Sequence, residues 1–133
     1  MWTVTVSPRF GDVDGLGHIN NTVIAAWFEL GRNGIFRIFE PTLNLSHQTW
    51  PLIMAHTDFD FVKEIFFHSD VEIRTVISRI GVKSFTTYHE AWQEGKVCAQ
   101  GSAVLVHYNF IVQETTPIPL DKRKALEAHL MQR

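Results

Sequence analysis

One stretch of helical period is followed by four stretches of strand period with no helix between them. That order restricts the architecture more than any other feature. From Asn21 to Phe39, apolar residues recur at spacings of three and four: Ile24, Trp27, Phe28, Gly31, Ile35, Ile38 and Phe39. Glu29, Asn33 and Arg37 fall on another face. The spacing predicts one helix of about five turns, begun by Asn20 or Asn21 and ended before Pro41. Gly31 and Gly34 inside it each cost roughly 1 kcal/mol against Ala. Small residues there indicate a helix lying close against a sheet.

The strand-like stretches are Leu52 to Ile65, Asp70 to Ile80, Ser84 to Trp92 and Val97 to Val112. Gly81 marks one hairpin, and Glu94-Gly95-Lys96 a second with Gly95 left-handed. Gly101 signals a bulge or a close backbone approach. An alternating strand, Trp2 to Arg9, precedes the helix, and Pro8 near its end indicates an edge or bulge. A short helix from Pro119 to Met131 ends the chain, and Pro41 to Trp50 is irregular. The expectation is a single α+β domain over residues 1–133, an antiparallel sheet wrapped around one long central helix. A sheet rich in Val, Ile, Phe and Trp with a bare edge is suited to pairing with a second copy.

Between first strand and helix lies Arg9-Phe10-Gly11-Asp12-Val13-Asp14-Gly15-Leu16-Gly17-His18-Ile19-Asn20-Asn21. Three glycines and two asparagines allow a sharp turn with free amides. Two carboxylates and a histidine sit inside it. A carboxylate beside a helix N-terminus suits attack on a carbonyl: the acid supplies nucleophile or base, and the helix supplies polarising N–H groups.

With 12 Lys and Arg against 14 Asp and Glu, the net charge is −2 with no basic block, which argues against nucleic acid as a partner. No apolar run approaches the ~20 residues that span a membrane, and the N-terminus lacks signal-peptide character. The lone Cys98 cannot form an internal disulfide, which fits a reducing, cytoplasmic setting. No nucleophile elbow, phosphate-binding loop or dinucleotide fingerprint occurs.

The run Asp12-Val13-Asp14-Gly15-Leu16-Gly17-His18-Ile19-Asn20-Asn21, then Trp27-Phe28-Glu29-x-x-Arg32 and the Lys83-Ser84-Phe85 hairpin exit, resembles the 4-hydroxybenzoyl-CoA thioesterase-like branch of the hotdog-fold superfamily. The likeness extends over nearly the whole chain. It implies a hotdog fold, a homodimer with sites at the subunit interface, often doubled to a homotetramer, and hydrolysis of an acyl-CoA thioester. It also implies that Asp14 is the catalytic acid and that the backbone N–H of Asn21 polarises the thioester carbonyl. The benzoyl-CoA enzyme has an apolar, Tyr-Pro-containing run where this chain has Gly-His-Ile-Asn-Asn, so 4-hydroxybenzoyl specificity is not carried over.

An aspartate needs no tuning to be ionised at neutral pH. Asp14 is therefore able to attack the thioester carbon or to activate water. Asp12 reads as a loop-bonding residue. His18 either lines the pocket, bonding the acid or the acyl group, or fixes the loop. Glu29 and Arg32, three apart, are placed to pair, and Glu29 is the rival catalytic carboxylate. Arg79, Lys83 and Ser84 are candidates for the phosphates of coenzyme A, and His56 or Thr57 for reaching the substrate across a dimer. His56, Asp58 and Asp60 alternate along one strand about 7 Å apart, too far to converge on one ion, so no metal is expected. No cofactor is expected either, coenzyme A being part of the substrate. Cys98 reads as a small packed residue. The competing readings are an acyl-carrier-protein thioesterase and a non-catalytic acyl-CoA-binding domain; a pure binder has no need of an ionised acid at position 14.

Overall fold

The computed structural model describes residues 1–46 and 49–132. In chain order the elements are β1 (Trp2–Val6), α1 (Asn21–Gly31), α2 (Asn33–Phe39), β2 (Leu52–Phe61), β3 (Val71–Ile80), β4 (Ser84–Gln93), β5 (Lys96–Asn109), β6 (Glu114–Thr115) and α3 (Leu120–Glu127). The sheet runs β1-β3-β4-β5-β2, antiparallel throughout, with β6 added beside β5. This is the expected α+β arrangement of a sheet curled around a central helix.

The helix departs from expectation in being broken at Arg32. The Arg32 N–H bonds the Glu29 carbonyl, a tighter three-residue closure, and its φ and ψ are −89° and 0°. Glycines at 31 and 34 leave the backbone there without the side chains that normally resist a kink. Those glycines also set how closely the helix lies on the sheet. A Cβ on Gly31 would come within 2.7 Å of Thr75 Oγ1, and one on Gly34 within 2.3 Å of the Trp2 ring.

Two apolar clusters fill the space between the layers. Ile24, Trp27 and Phe28 of α1 pack on Val71, Ile73, Ala91 and Ala99. Ile35 and Phe39 of α2 pack on Ile77, Phe85 and Leu105, closed from outside by Leu126 of α3. Each fully buried Phe or Ile contributes roughly 1.5–3 kcal/mol.

Glu94 and Gly95 both have positive φ, 51° and 76°, which makes the β4–β5 turn a two-residue primed hairpin. A Cβ on Gly101 would lie 2.1 Å from the Asp58 carbonyl, so that glycine marks a close backbone approach between β5 and β2. One bulge lies across the ladder, in β2 between Met54 and His56, and β5 itself bulges at Cys98, opposite Ala91 and Trp92 of β4. β2 ends at Phe61 rather than Ile65, because Val62 and Lys63 both donate to one carbonyl, that of Cys98, and the chain turns there. Among the described residues, no helix is long and apolar enough to cross a membrane.

Candidate active site

Residues 13–19 form a small hairpin of their own. Val13 bridges Ile19, the Asp14 N–H donates to the His18 carbonyl at 2.7 Å, and Gly17 takes φ +82°. Asp14 Oδ1 accepts from the N–H groups of Leu16 (2.8 Å) and His18 (3.2 Å). One carboxylate oxygen thus holds the loop. Oδ2 has no hydrogen-bond partner among the described residues.

Asp12 is buried and closes the preceding turn. Its Oδ2 accepts from the Arg9 N–H and its Oδ1 from the Arg9 guanidinium. Burial pushes its carboxyl up, but those bonds and the Arg9 charge outweigh that and hold it below the ordinary aspartate value.

Asn20 caps α1, accepting from the Thr22 N–H at 3.0 Å and from the Thr22 hydroxyl at 2.9 Å. Asn21 is the first helical residue, and its N–H has no acceptor among the described residues. At that position a helix presents unsatisfied donors and the positive end of its dipole.

Asp14, His18 and Asn21 line one cavity of about 330 Å³, with Ile24 on its floor. The far wall is the turn after β2, Phe61 to Ile65, together with Cys98 and Ala99 of β5. That wall is tied to the loop through the Ile19 N–H to the Ile65 carbonyl, 2.8 Å. The His18 ring faces away from Asp14. Its Nε2 lies 3.3 Å from Glu64 Oε2, and Phe66 meets it edge-on. Asp14 is reached by the backbone of His18 instead.

Cys98 is buried, as a packed residue should be, and also forms part of the cavity wall. Lys63 and Glu64 on the rim went unnoticed in the sequence. The strand-period reading carried β2 through them, and nothing local marks the turn at residue 62.

The other candidates do not gather at this cavity within one protomer. Arg79, Lys83 and Ser84 lie around the β3–β4 hairpin, whereas Cys98 lies toward the opposite end of the sheet. Ser84 is roughly 23 Å from the level of Ala91, seven residues at ~3.3 Å each. His56 and Thr57 are exposed midway along β2. Their nearest polar contacts are local, His56 Nε2 to Asp58 Oδ2 at 3.2 Å and the Thr57 hydroxyl donating to the Ser102 carbonyl at 3.0 Å. Among the described residues, no three His, Cys, Asp or Glu side chains converge as metal ligands.

The Glu29–Arg32 pair is a correction. Glu29 is exposed and Arg32 is buried, turned into the sheet, with Nη1 3.3 Å from His89 Nε2. His89 in turn meets the Thr75 hydroxyl at 3.0 Å and the Thr87 hydroxyl at 2.8 Å, and stacks on Phe28. Since Nε2 faces a guanidinium, it is the accepting nitrogen, and Nδ1–H donates to Thr75. Burial, then the Arg32 charge, push His89 down to about 3. Burial also lowers Arg32, offset in part by Glu29.

Residues 8–129 match the family described as the thioesterase-like superfamily. The chain superimposes on a predicted thioesterase from Bacillus stearothermophilus with a TM-score of 0.93 and 41% identity, over 99% of this chain and 98% of that one. A thioesterase from Thermus thermophilus, in complex with coenzyme A and Zn, matches with a TM-score of 0.82 and 26% identity over 94% and 96% of the two chains. The gentisyl-coenzyme A thioesterase BH1999 matches with a TM-score of 0.78 and 26% identity over 93% and 98%.

Proposed function

Since the chain belongs to the thioesterase-like superfamily and is a thioester hydrolase of the hotdog fold, we propose that its substrate is an acyl-CoA and its catalytic acid Asp14. The observation that carries this reading is that Asp14 and Asn21 line one cavity, and that among the described residues one Asp14 carboxylate oxygen and the Asn21 N–H at the start of α1 have no partner. Two similar thioesterases, one bound to coenzyme A and one acting on gentisyl-coenzyme A, support the choice of carrier.

The thioester carbonyl accepts from the Asn21 N–H, and charge building on its oxygen is stabilised by that donor and the helix dipole. Asp14 either attacks the carbonyl carbon, giving a mixed anhydride that water then opens, or takes a proton from an attacking water. Either course releases CoA thiol and a carboxylic acid and needs no further cofactor. His18 holds the loop through its N–H to Asp14. Lys63, on the rim, offers a cation to the phosphates of coenzyme A.

The site belongs to a homodimer, or a dimer of dimers. Support comes from β2, which is an edge strand with Ile53, Met54 and Phe61 exposed along it. In that assembly Arg79, Lys83, Ser84, His56 and Thr57 serve the cavity of another copy. The unpaired Cys98 suits a reducing, cytoplasmic setting.

The test is a panel of short, long-chain and aromatic acyl-CoA esters with free thiol detected, run on wild type and Asp14→Asn. An Asn side-chain oxygen still accepts from Leu16 and His18, so the loop and the melting temperature are expected to survive while turnover falls by ~100-fold or more. Undiminished turnover in that variant would move the role to Glu29. Absence of turnover across the panel would leave a binding domain.

A further inference from the structure

The groove between the central helix and edge strand β2 has a second chamber beyond the one at Asp14. It has a volume of about 440 Å³ and is walled by Phe36, Trp50, Leu52, Met54 and Leu105, with Arg32 among them. The stacked rings of Phe28 and Phe59, 5.8 Å apart, belong to residues that fall in the chain between those lining the two chambers on α1 and on β2.

Arg32 is anomalous in this wall. It is 4% exposed, and its Nε is buried with no hydrogen-bond partner among the described residues. Among the described residues its side-chain bond goes to the imidazole of His89, whose surroundings keep it uncharged. Among the described residues no carboxylate comes within ion-pair distance of it; Glu29 stands on the rim and acts only through its field. A buried cation lacking a counter-charge is costly to fold around. An anion entering the chamber would remove that cost, and the other walls would hold its apolar body.

We propose that this second chamber binds a small apolar monocarboxylate, its carboxylate on Arg32 and its hydrocarbon against Phe36, Trp50, Leu52 and Met54. Two sources carry that chemistry. One is a free acid, the product class of a thioesterase. The other is the far end of a dicarboxylic acyl group on CoA, which rests on the proposed acyl-CoA reading.

The experiment titrates octanoate and its neutral amide into the wild-type protein, Arg32→Met and Leu45→Glu by calorimetry. It then compares suberyl-CoA with octanoyl-CoA as substrates. Methionine keeps the apolar stem while removing the charge. Leu45 lines the chamber and is 73% exposed, so its variant keeps the test open if Arg32→Met fails to fold. Octanoate binding about tenfold or more tighter than the amide, with the preference lost in the variants, supports the free-acid source. No such preference, but kcat/KM at least tenfold higher for suberyl-CoA and levelled by the variants, supports the acyl source. Neither preference, or a preference that the variants retain, overturns the proposal. If neither ester is hydrolysed, the acyl-CoA reading of these acyl groups fails, and the octanoate titration decides the chamber alone.

Discussion

The central helix carries a polar site at its start and another where it breaks, and the two are built in opposite ways. At the start, Asp14, His18, Asn20 and Asn21 lie within eight consecutive residues and bond chiefly to backbone. At the break, Arg32, Thr75, Thr87 and His89 come from three distant elements and bond to one another, all four buried, with Arg32 also lining the second chamber. The first is half open, so its groups remain available to a ligand. The second is buried, so its unmet needs show up on its charges: an imidazole that resists protonation and a guanidinium with no anion beside it among the described residues. A backbone-built site tolerates side-chain change but not loss of an amide. A side-chain-built site in the core tolerates no added bulk, and only a charge that pairs with one it already holds.

The largest effect that separates the two follows from Asn21. Proline is well suited to the first helical position, and Asn20 at ψ 133° already has the extended backbone that a following proline needs. Asn21→Pro should therefore keep the fold while deleting the N–H, lowering kcat about 100- to 1,000-fold, the usual cost of one oxyanion donor. Asn21→Ala, which keeps the N–H, should stay near wild type. Equal turnover in both, read by thiol release, would break the claim that the backbone does the work.

Acid probes the other site. His89 has a folded value of about 3, below its ordinary 6.5. Between those values the unfolded chain binds a proton that the folded one does not. Its contribution to stability is therefore complete above about pH 6.5 and declines as pH falls toward 3, by about 1.4 kcal/mol per pH unit. His89→Gln should flatten that part of a denaturant-midpoint profile against pH. A profile as steep as wild type would remove His89 as the cause.

Smaller again is Gly31→Ala. The new Cβ meets Thr75 Oγ1 and Ile73 Cγ2 at 2.7 and 2.8 Å, both on stiff β-branched side chains. Even after the gain in helix propensity, a loss of about 1–3 kcal/mol is expected by chemical unfolding. Least of all, Asn20→Ala should cost about 1 kcal/mol as a lost cap, with turnover reduced only as far as the start of α1 frays.

Legibility in the sequence follows the same division. Period, hairpin glycines and the capping asparagine are local signals, and they anticipated the helix, the order of β2 to β5, the Glu94-Gly95 turn and the loop that carries Asp14. The break at Arg32 was not legible, because an i, i+3 spacing of Glu29 and Arg32 is equally compatible with a surface pair and with an arginine turned inward. Nor was the end of β2, since Val62 and Lys63 share the Cys98 carbonyl across the sheet. His89 passed for one more residue of an alternating strand.

Residue order alone determined the α+β class, the loop and its helix cap, since each rests on contacts within a few residues. Tertiary structure decided that Phe61 to Ile65 and Cys98 form the far wall of the Asp14 cavity, that Arg32 lies buried on His89, and that the hairpin cations sit at the other end of the sheet. The physical reason is that burial and charge pairing depend on which distant segments exclude water from a group. A chain read residue by residue carries no measure of that.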